Sequence, residues 1–255
     1  MHNAIIYPLH VGTLKKVLRT PAIAPDDFEP SPLIAYLIRT GDTWILVDTG
    51  ACDPEWSQKY HHRLERPEEM KVENQLKRYG VQPEDIQILV CSHLHWDHAY
   101  NLHLFPNAKI YVQKRELEFA IHPIPSHYVF YEAMQMGLTP PWLSAVSQFE
   151  IIDGDFELMP GITLVTLPGH TPGQQGVLVE TDEGRYLIAS DCVATMDCWE
   201  NREFGLPIPS SIHVDLEEYY ETFRKMLRIS DFILPGHDFC VFDHPCYPDA
   251  AQTPD

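Results

Sequence analysis

The sequence predicts an α/β domain, and three observations carry that prediction. Strand-sized apolar runs such as Ile86 to Cys91 and Tyr186 to Ala189 recur along the chain between segments of helical periodicity. Each half of the chain has several strands followed by a helix, and each half delivers His or Asp at strand ends. At 255 residues, 44% hydrophobic and 22% charged, the chain can bury a sizeable core without disulfide or metal staples. It shows no fixed-period repeat, low-complexity tract or linker. One domain over residues 1–255, of two or three packed layers, is the expectation.

The elements follow in order. Leu33 to Ile38 and Thr43 to Asp48 flank Arg39-Thr40-Gly41-Asp42 and predict a hairpin. Both strands are mostly apolar, so both faces should be covered. Pro67 to Gly80 predicts a helix, with Pro early, acids in the first turn, bases in the last and Gly just past the end. Ile86 to Cys91 predicts a buried strand running into Ser92-His93-Leu94-His95-Trp96-Asp97-His98. Lys109 to Val112 is a short strand and Lys114 to Ala120 a short helix. His122 to Leu143, rich in aromatics, Met and Pro, is irregular, as pocket walls and lids often are. Strands are then predicted at Glu150 to Ile152, Phe156 to Leu158, Ile162 to Leu167, Gly176 to Glu180 and Arg185 to Ser190. A helix begins at Asp215 with a capping-box pattern and runs to Ile229, with Leu216, Tyr220, Phe223 and Leu227 at helical spacing. Strand Phe232 to Leu234 delivers Pro235-Gly236-His237.

Composition excludes several function classes. No apolar run approaches the roughly 18 residues of a membrane span, and the N-terminal MHNAIIYPLH lacks the pattern of an export signal. A cytosolic (cytoplasmic) protein is therefore expected. The net charge of -19 repels phosphate backbones and disfavours nucleic-acid partners. None of the 6 cysteines stands in a Cys-x-x-Cys pair, so free thiols in a reducing compartment are expected. The excess that stands out is the 14 histidines.

Three imidazoles and a carboxylate lie within His93-Leu94-His95-Trp96-Asp97-His98, after an apolar strand. With 14 His and 18 Asp in 255 residues the chance expectation of His-x-His-x-Asp-His is roughly 0.003. His93 and His95, two apart in extended chain, project to one side. Asp97 and His98 leave the first turn of a following helix pointing elsewhere. Such a segment can serve two adjacent metal ions. Imidazole and carboxylate suit zinc, and also manganese, cobalt or iron.

This segment resembles the metal-binding motif of the metallo-β-lactamase superfamily, and later pieces match in order. Pro168-Gly169-His170-Thr171-Pro172-Gly173 resembles the loop that supplies a third histidine to the first metal. Ser190-Asp191 resembles the bridging aspartate, and Pro235-Gly236-His237-Asp238 the last histidine. Val47-Asp48-Thr49-Gly50 resembles the early turn whose aspartate supports the site from behind the ligands. The resemblance, covering roughly residues 33 to 240, implies a four-layer αββα sandwich with the metal site at one edge of its two sheets. It implies a ligand set of His93, His95, His170, Asp97, His98, Asp191 and His237 around two divalent ions, zinc first among them. Within the superfamily the surrounding words are most similar to the N-acyl homoserine lactonases and related lactone hydrolases. Those enzymes carry a tyrosine three residues after the bridging aspartate, where this chain has Ala194.

The implied activity is opening of a lactone or related ester by a metal-bridging hydroxide, with Asp97 as the catalytic proton carrier. Cyclic amides and thioesters are the alternative substrates, and an iron-dependent oxidoreductase on the same fold is the alternative class. Trp96, Tyr128, Phe130 and Tyr131, with Met134, Met136 and Trp142, are expected around an apolar substrate pocket. The expected partner is a small molecule, not nucleic acid or membrane, and a homodimer is left open as the assembly.

Overall fold

The computed structural model describes residues 4–17, 28–133, 137–202 and 205–249; Met134 and Met136 lie outside them. Twelve strands are found among the described residues. The first sheet contains β1 (Ile5–Val17), β2 (Phe28–Thr40), β3 (Thr43–Val47), β4 (Arg63–Glu65), β5 (Ile88–Val90), β6 (Lys109–Gln113) and β7 (Phe149–Ile152), in spatial order β4-β1-β2-β3-β5-β6-β7. The second contains β8 (Phe156–Met159), β9 (Ile162–Thr166), β10 (Gln175–Thr181), β11 (Gly184–Ser190) and β12 (Phe232–Pro235), in order β12-β11-β10-β9-β8. The helices are α1 (Pro54–Tyr60), α2 (Val72–Lys77), α3 (Trp96–Ala99), α4 (Lys114–Ile121), α5 (Tyr128–Tyr131), α6 (Met196–Glu200) and α7 (Leu216–Ile229).

Alternation along the strands builds three separate cores. In β2, Tyr36 and Ile38 enter one apolar cluster while Ala35 and Leu37 enter another. The middle cluster joins Ile38, Ile45 and Val47 of the first sheet to Leu164, Val177 and Ile188 of the second, so the sheets pack face to face. The outer face of the first sheet, through Leu37, Leu46 and Leu89, packs on Leu76 of α2 and Trp96 of α3. The outer face of the second, through Val165 and Leu187, packs on Tyr219, Phe223 and Met226 of α7. Three cores between four layers make the αββα sandwich, one layer more than the two or three that chain length alone suggested. The predicted β2/β3 hairpin is apolar on both faces because each face belongs to a different core.

Several elements differ from expectation; α1, β4 and α6 were not anticipated, and three further differences are informative. β1, not anticipated, pairs along β2, with a register shift between His10 and Gly12 that breaks the period-two pattern. The helix expected over Pro67 to Gly80 is interrupted at Lys71, which is extended (ψ 137) between a 3-10 turn at Glu68–Met70 and α2. The Asn74 and Gln75 side-chain amides donate to the Glu68 and Glu69 carbonyls there, in place of the backbone N–H groups of a continuous helix. In α7 the buried side is Tyr219, Thr222, Phe223 and Met226, whereas Leu216 and Leu227 are exposed.

Candidate metal centre

Every residue of the centre follows the carboxyl end of a strand. β3 leads to Asp48, β5 to Ser92–His98, β9 to the loop holding His170, β11 to Asp191 and β12 to His237. Backbone bonds knit these ends together: Asp48 N–H donates to Val90 O (2.9 Å), Gln175 N–H to Ser92 O (2.8 Å) and His237 N–H to Ala194 O (2.9 Å). Two residues beside the centre, Asp48 (φ 61) and Ser190 (φ 48), are non-glycines in the left-handed region, strain of the kind found at sites that a surrounding structure over-determines. The PGH loop docks because Gly169 has no side chain; a Cβ there would lie 2.4 Å from Tyr219 Cγ.

All seven residues expected as ligands come together. Potential ligand atoms lie within 4.8 Å of one another in three groups: His93, His95 and His170; His93, His98 and Asp191; and Asp97, His98 and His237. Asp191 stands between the halves, with Oδ1 3.1 Å from both His98 Nε2 and His237 Nε2, and Oδ2 3.5 Å from His170 Nε2.

Hydrogen bonds behind the imidazoles fix which nitrogen faces inward. His170 Nδ1 donates to Ile212 O (2.8 Å) and His237 Nδ1 to Pro32 O (2.9 Å); a carbonyl only accepts, so each Nε2 of a neutral ring presents a lone pair. His98 Nδ1 donates to Asp48 Oδ2 (2.8 Å). Ser92 Oγ donates to the same oxygen (2.6 Å), leaving it to accept from His93 Nδ1 (3.0 Å). Asp48 thus orients one imidazole from each half of the centre. His93 Nε2, His98 Nε2 and Asp191 Oδ1 are buried without a hydrogen-bond partner. Lone pairs facing a carboxylate at this spacing repel unless cations lie between them, so the donor set fits divalent metal.

Burial and the carboxylates act on the imidazoles in opposite directions. Burial, reinforced by neighbouring imidazoles, holds His93 and His95 well below the ordinary imidazole range, and burial brings His170 down to about 4. At neutral pH these three are therefore uncharged, the form in which an imidazole can take a metal ion. Burial opposes the charge on His98, yet Asp191, Asp97 and Asp48 outweigh it and raise its pKa well above the ordinary value. Burial likewise works against the Asp191 carboxylate, but His237 and His98 hold it far below the carboxylate range.

Glu116 was not anticipated. This buried carboxylate on α4 accepts from Leu94 N–H (2.9 Å), Tyr131 O–H (2.6 Å) and Thr171 O–H (2.6 Å), tying the histidine segment to the PGHTPG loop. Burial pushes its carboxyl up, and these donors pull it back. The bond to Glu116 also reassigns Tyr131: its ring is fully buried and its hydroxyl is committed, so it supports the centre from inside and does not face a substrate.

A small cavity of ≈ 40 Å³ opens over the centre, with Asp97, Trp96 and Phe130 in its wall. Phe130 lies with its ring 5.1 Å from that of His95. Trp96 is stacked flat on His61 at 4.0 Å. Tyr128, on α5, is half-buried and not part of this wall, and Trp142 is buried in the outer core.

Fold and centre together define a metal-binding αββα protein. The metallo-beta-lactamase superfamily profile matches residues 34–237. The chain is 33% identical over 230 residues to the N-acyl homoserine lactonase AiiA of Bacillus thuringiensis subsp. kurstaki, covering 85% of each chain. It is 34% identical over 195 residues to the N-acyl homoserine lactonase AttM of Azorhizobium caulinodans, covering 74% of this chain and 69% of that one. Among solved structures, an N-acyl homoserine lactone hydrolase with N-hexanoyl-L-homoserine bound at its catalytic metal centre superposes with a TM-score of 0.73 at 27% identity, covering 95% of this chain and 96% of that one. A Bacillus thuringiensis AiiA mutant with N-decanoyl-L-homoserine in its active site gives 0.72 at 28%, with the same coverage. The chain belongs to the metallo-beta-lactamase superfamily.

Proposed function

We propose that this protein is a dinuclear metal-dependent hydrolase that opens lactones, with N-acyl homoserine lactones as its substrate class. The observation that carries this reading is the convergence of five histidines and two aspartates, whose imidazole lone pairs and Asp191 oxygens face one another. The names of the relatives supply the substrate class. His93, His95 and His170 would hold one ion, Asp97, His98 and His237 the other, and Asp191 would touch both. Bound divalent ions, zinc first, lower the pKa of water toward about 7 and polarise a carbonyl.

The chain's own residues do the rest. Asp97 lies in the cavity wall, 3.9 Å from His98 Nε2 and His237 Nε2, where its carboxylate can take a proton from the attacking water and return it to the leaving oxygen. Trp96 and Phe130 supply an apolar wall for a neutral substrate. No helix among the described residues is long and apolar enough to cross a membrane. All 6 cysteines are free thiols, which suits a reducing cytoplasm.

The test is proton release from N-acyl homoserine lactones by metal-loaded protein. Chelation should abolish turnover, and Asp97→Asn should lower kcat by about 10²–10⁴-fold with its metal content retained. Unchanged turnover in the chelated protein would sink this reading.

A further inference from the structure

The cavity over the metal centre has nine wall residues, four of which, His95, Asp97, Asp191 and His237, belong to the centre. Leu14, Phe130 and Ile212 are apolar, and Trp96 has one ring face covered by His61. The ninth is His62. Among the described wall residues outside the centre, it alone has a side chain able both to donate and to accept hydrogen bonds. Ala194, which follows the bridging position by three residues, carries only a methyl group.

Hydrolysis of a carboxylic ester builds negative charge on more than one oxygen, and a fixed donor near a developing oxyanion is among the largest single contributions to rate. Such a donor must be held in place before the substrate arrives. The backbone that carries residue 62 is held from both sides. His61 N–H donates to Ser57 O (2.8 Å), and Ser57 Oγ–H donates to His62 O (2.5 Å). The His61 ring lies flat on Trp96, with 4° between the planes, and its Nε2 donates to Glu132 Oε1 (2.6 Å). Glu132 Oε1 also accepts from Trp56 Nε1 (2.8 Å), and the His61 and Glu132 side chains are 2% and 1% exposed. A buried carboxylate on one side and the Trp96 ring on the other therefore fix the step of chain that carries His62. Because Trp96 lies between His95 and Asp97, this clamp references His62 to the metal centre itself.

We propose that His62 is a substrate-contacting residue, donating a hydrogen bond to the carbonyl-derived oxygen of the substrate as charge develops there. The assignment rests on the lactone reading above. His62→Ala and His62→Gln should be compared with wild type in metal-loaded form on the same lactones. Metal content and thermal midpoint are measured alongside. The expected result is a loss on the order of 10²-fold in His62→Ala, mostly in kcat, with both ions and the midpoint retained. His62→Gln, which restores a donor, should recover part of it. Wild-type turnover with His62→Ala within twofold of it would overturn the role of His62 and leave the lactone reading standing. Loss of metal in both variants, with activity falling in proportion, would overturn it in favour of structural support. A wild type inert toward every lactone would instead overturn the lactone reading, and with it the partner assigned to His62.

Discussion

Asp48 shows how one buried carboxylate can serve two half-sites. It reaches His98 directly and His93 through the Ser92 hydroxyl, so its removal frees both rings at once. Groups behind metal ligands typically matter by 10- to 100-fold in metal affinity. Asp48→Ala should accordingly weaken binding by about 10–100-fold, measured by competition with a chromophoric chelator; affinity within twofold of wild type would remove the orienting role. Glu116 is the parallel case on the other flank. Its partners include the Leu94 N–H and two hydroxyls, Tyr131 and Thr171, and all three donate. Glu116→Gln removes the charge that strengthens these bonds and puts a donor where one acceptor oxygen stood, so that the Thr171 hydroxyl has to turn to accept. The expected cost is about 1–3 kcal/mol, read by denaturant unfolding. Asp48 was legible in the sequence because Val47-Asp48-Thr49-Gly50 resembles the early turn of the superfamily. Glu116 was not, because it stands in an ordinary amphipathic helix, 22 residues from Leu94 and 55 from Thr171. A carboxylate that gathers distant donors leaves no local pattern.

Among elements, the helix α7 shows what periodicity can and cannot give. Leu216, Tyr220, Phe223 and Leu227 satisfy a helical repeat, but the second sheet takes a neighbouring stripe through Tyr219, Phe223 and Met226. Helical spacing locates an apolar face to within about one position of rotation. Which position wins depends on tertiary anchors. Here the anchor is Tyr219, whose hydroxyl donates to Asp191 O (3.0 Å) and Cys192 O (3.1 Å), and whose ring fills the space left by Gly169. A methyl group at Gly169 would meet Tyr219 Cγ at 2.4 Å and Cα at 2.7 Å, on a backbone at φ 141. Gly169→Ala should therefore destabilise the fold by about 1–3 kcal/mol through overpacking. It should also lower metal content, because Tyr219 holds the carbonyl of Asp191; thermal unfolding and metal analysis of one preparation check both. A stable, fully metallated variant would show that α7 yields without disturbing the centre. β1 escaped sequence reading for a related reason. Its shift between His10 and Gly12 puts Leu9, Val11 and Leu14 into one core, a spacing that fits neither a strand nor a helix.

For the molecule as a whole, the acidic balance and the histidine excess are two sides of one arrangement. The -19 charge is carried outside three apolar cores, while five of the 14 histidines are gathered in one centre, where burial holds His93, His95 and His170 below the ordinary imidazole range. This arrangement fixes the direction of the pH dependence. Among the described histidines, burial lowers the pKa of His10, His93, His95, His127 and His170, the last to about 4 from an ordinary 6.5, while carboxylates raise that of His98. A base with a depressed folded-state pKa takes up its proton more readily in the unfolded chain, so acid favours unfolding once the pH falls below that ordinary value. His98 works in the opposite sense, but it is one group against five. Metal-free protein should therefore lose stability steadily as the pH falls from about 6.5 toward about 4. Metal-loaded protein should melt higher at neutral pH, because ions that bind only the folded state add RT ln(1 + [L]/Kd) to its stability. That margin should itself shrink in acid, as protons compete for the same nitrogens. Calorimetry of chelated and loaded samples between pH 7.5 and pH 5 checks both curves. A chelated midpoint that stays level or rises as the pH falls would mean that the buried imidazoles are already protonated in the fold, and the centre would then lack the lone pairs on which its metal chemistry depends.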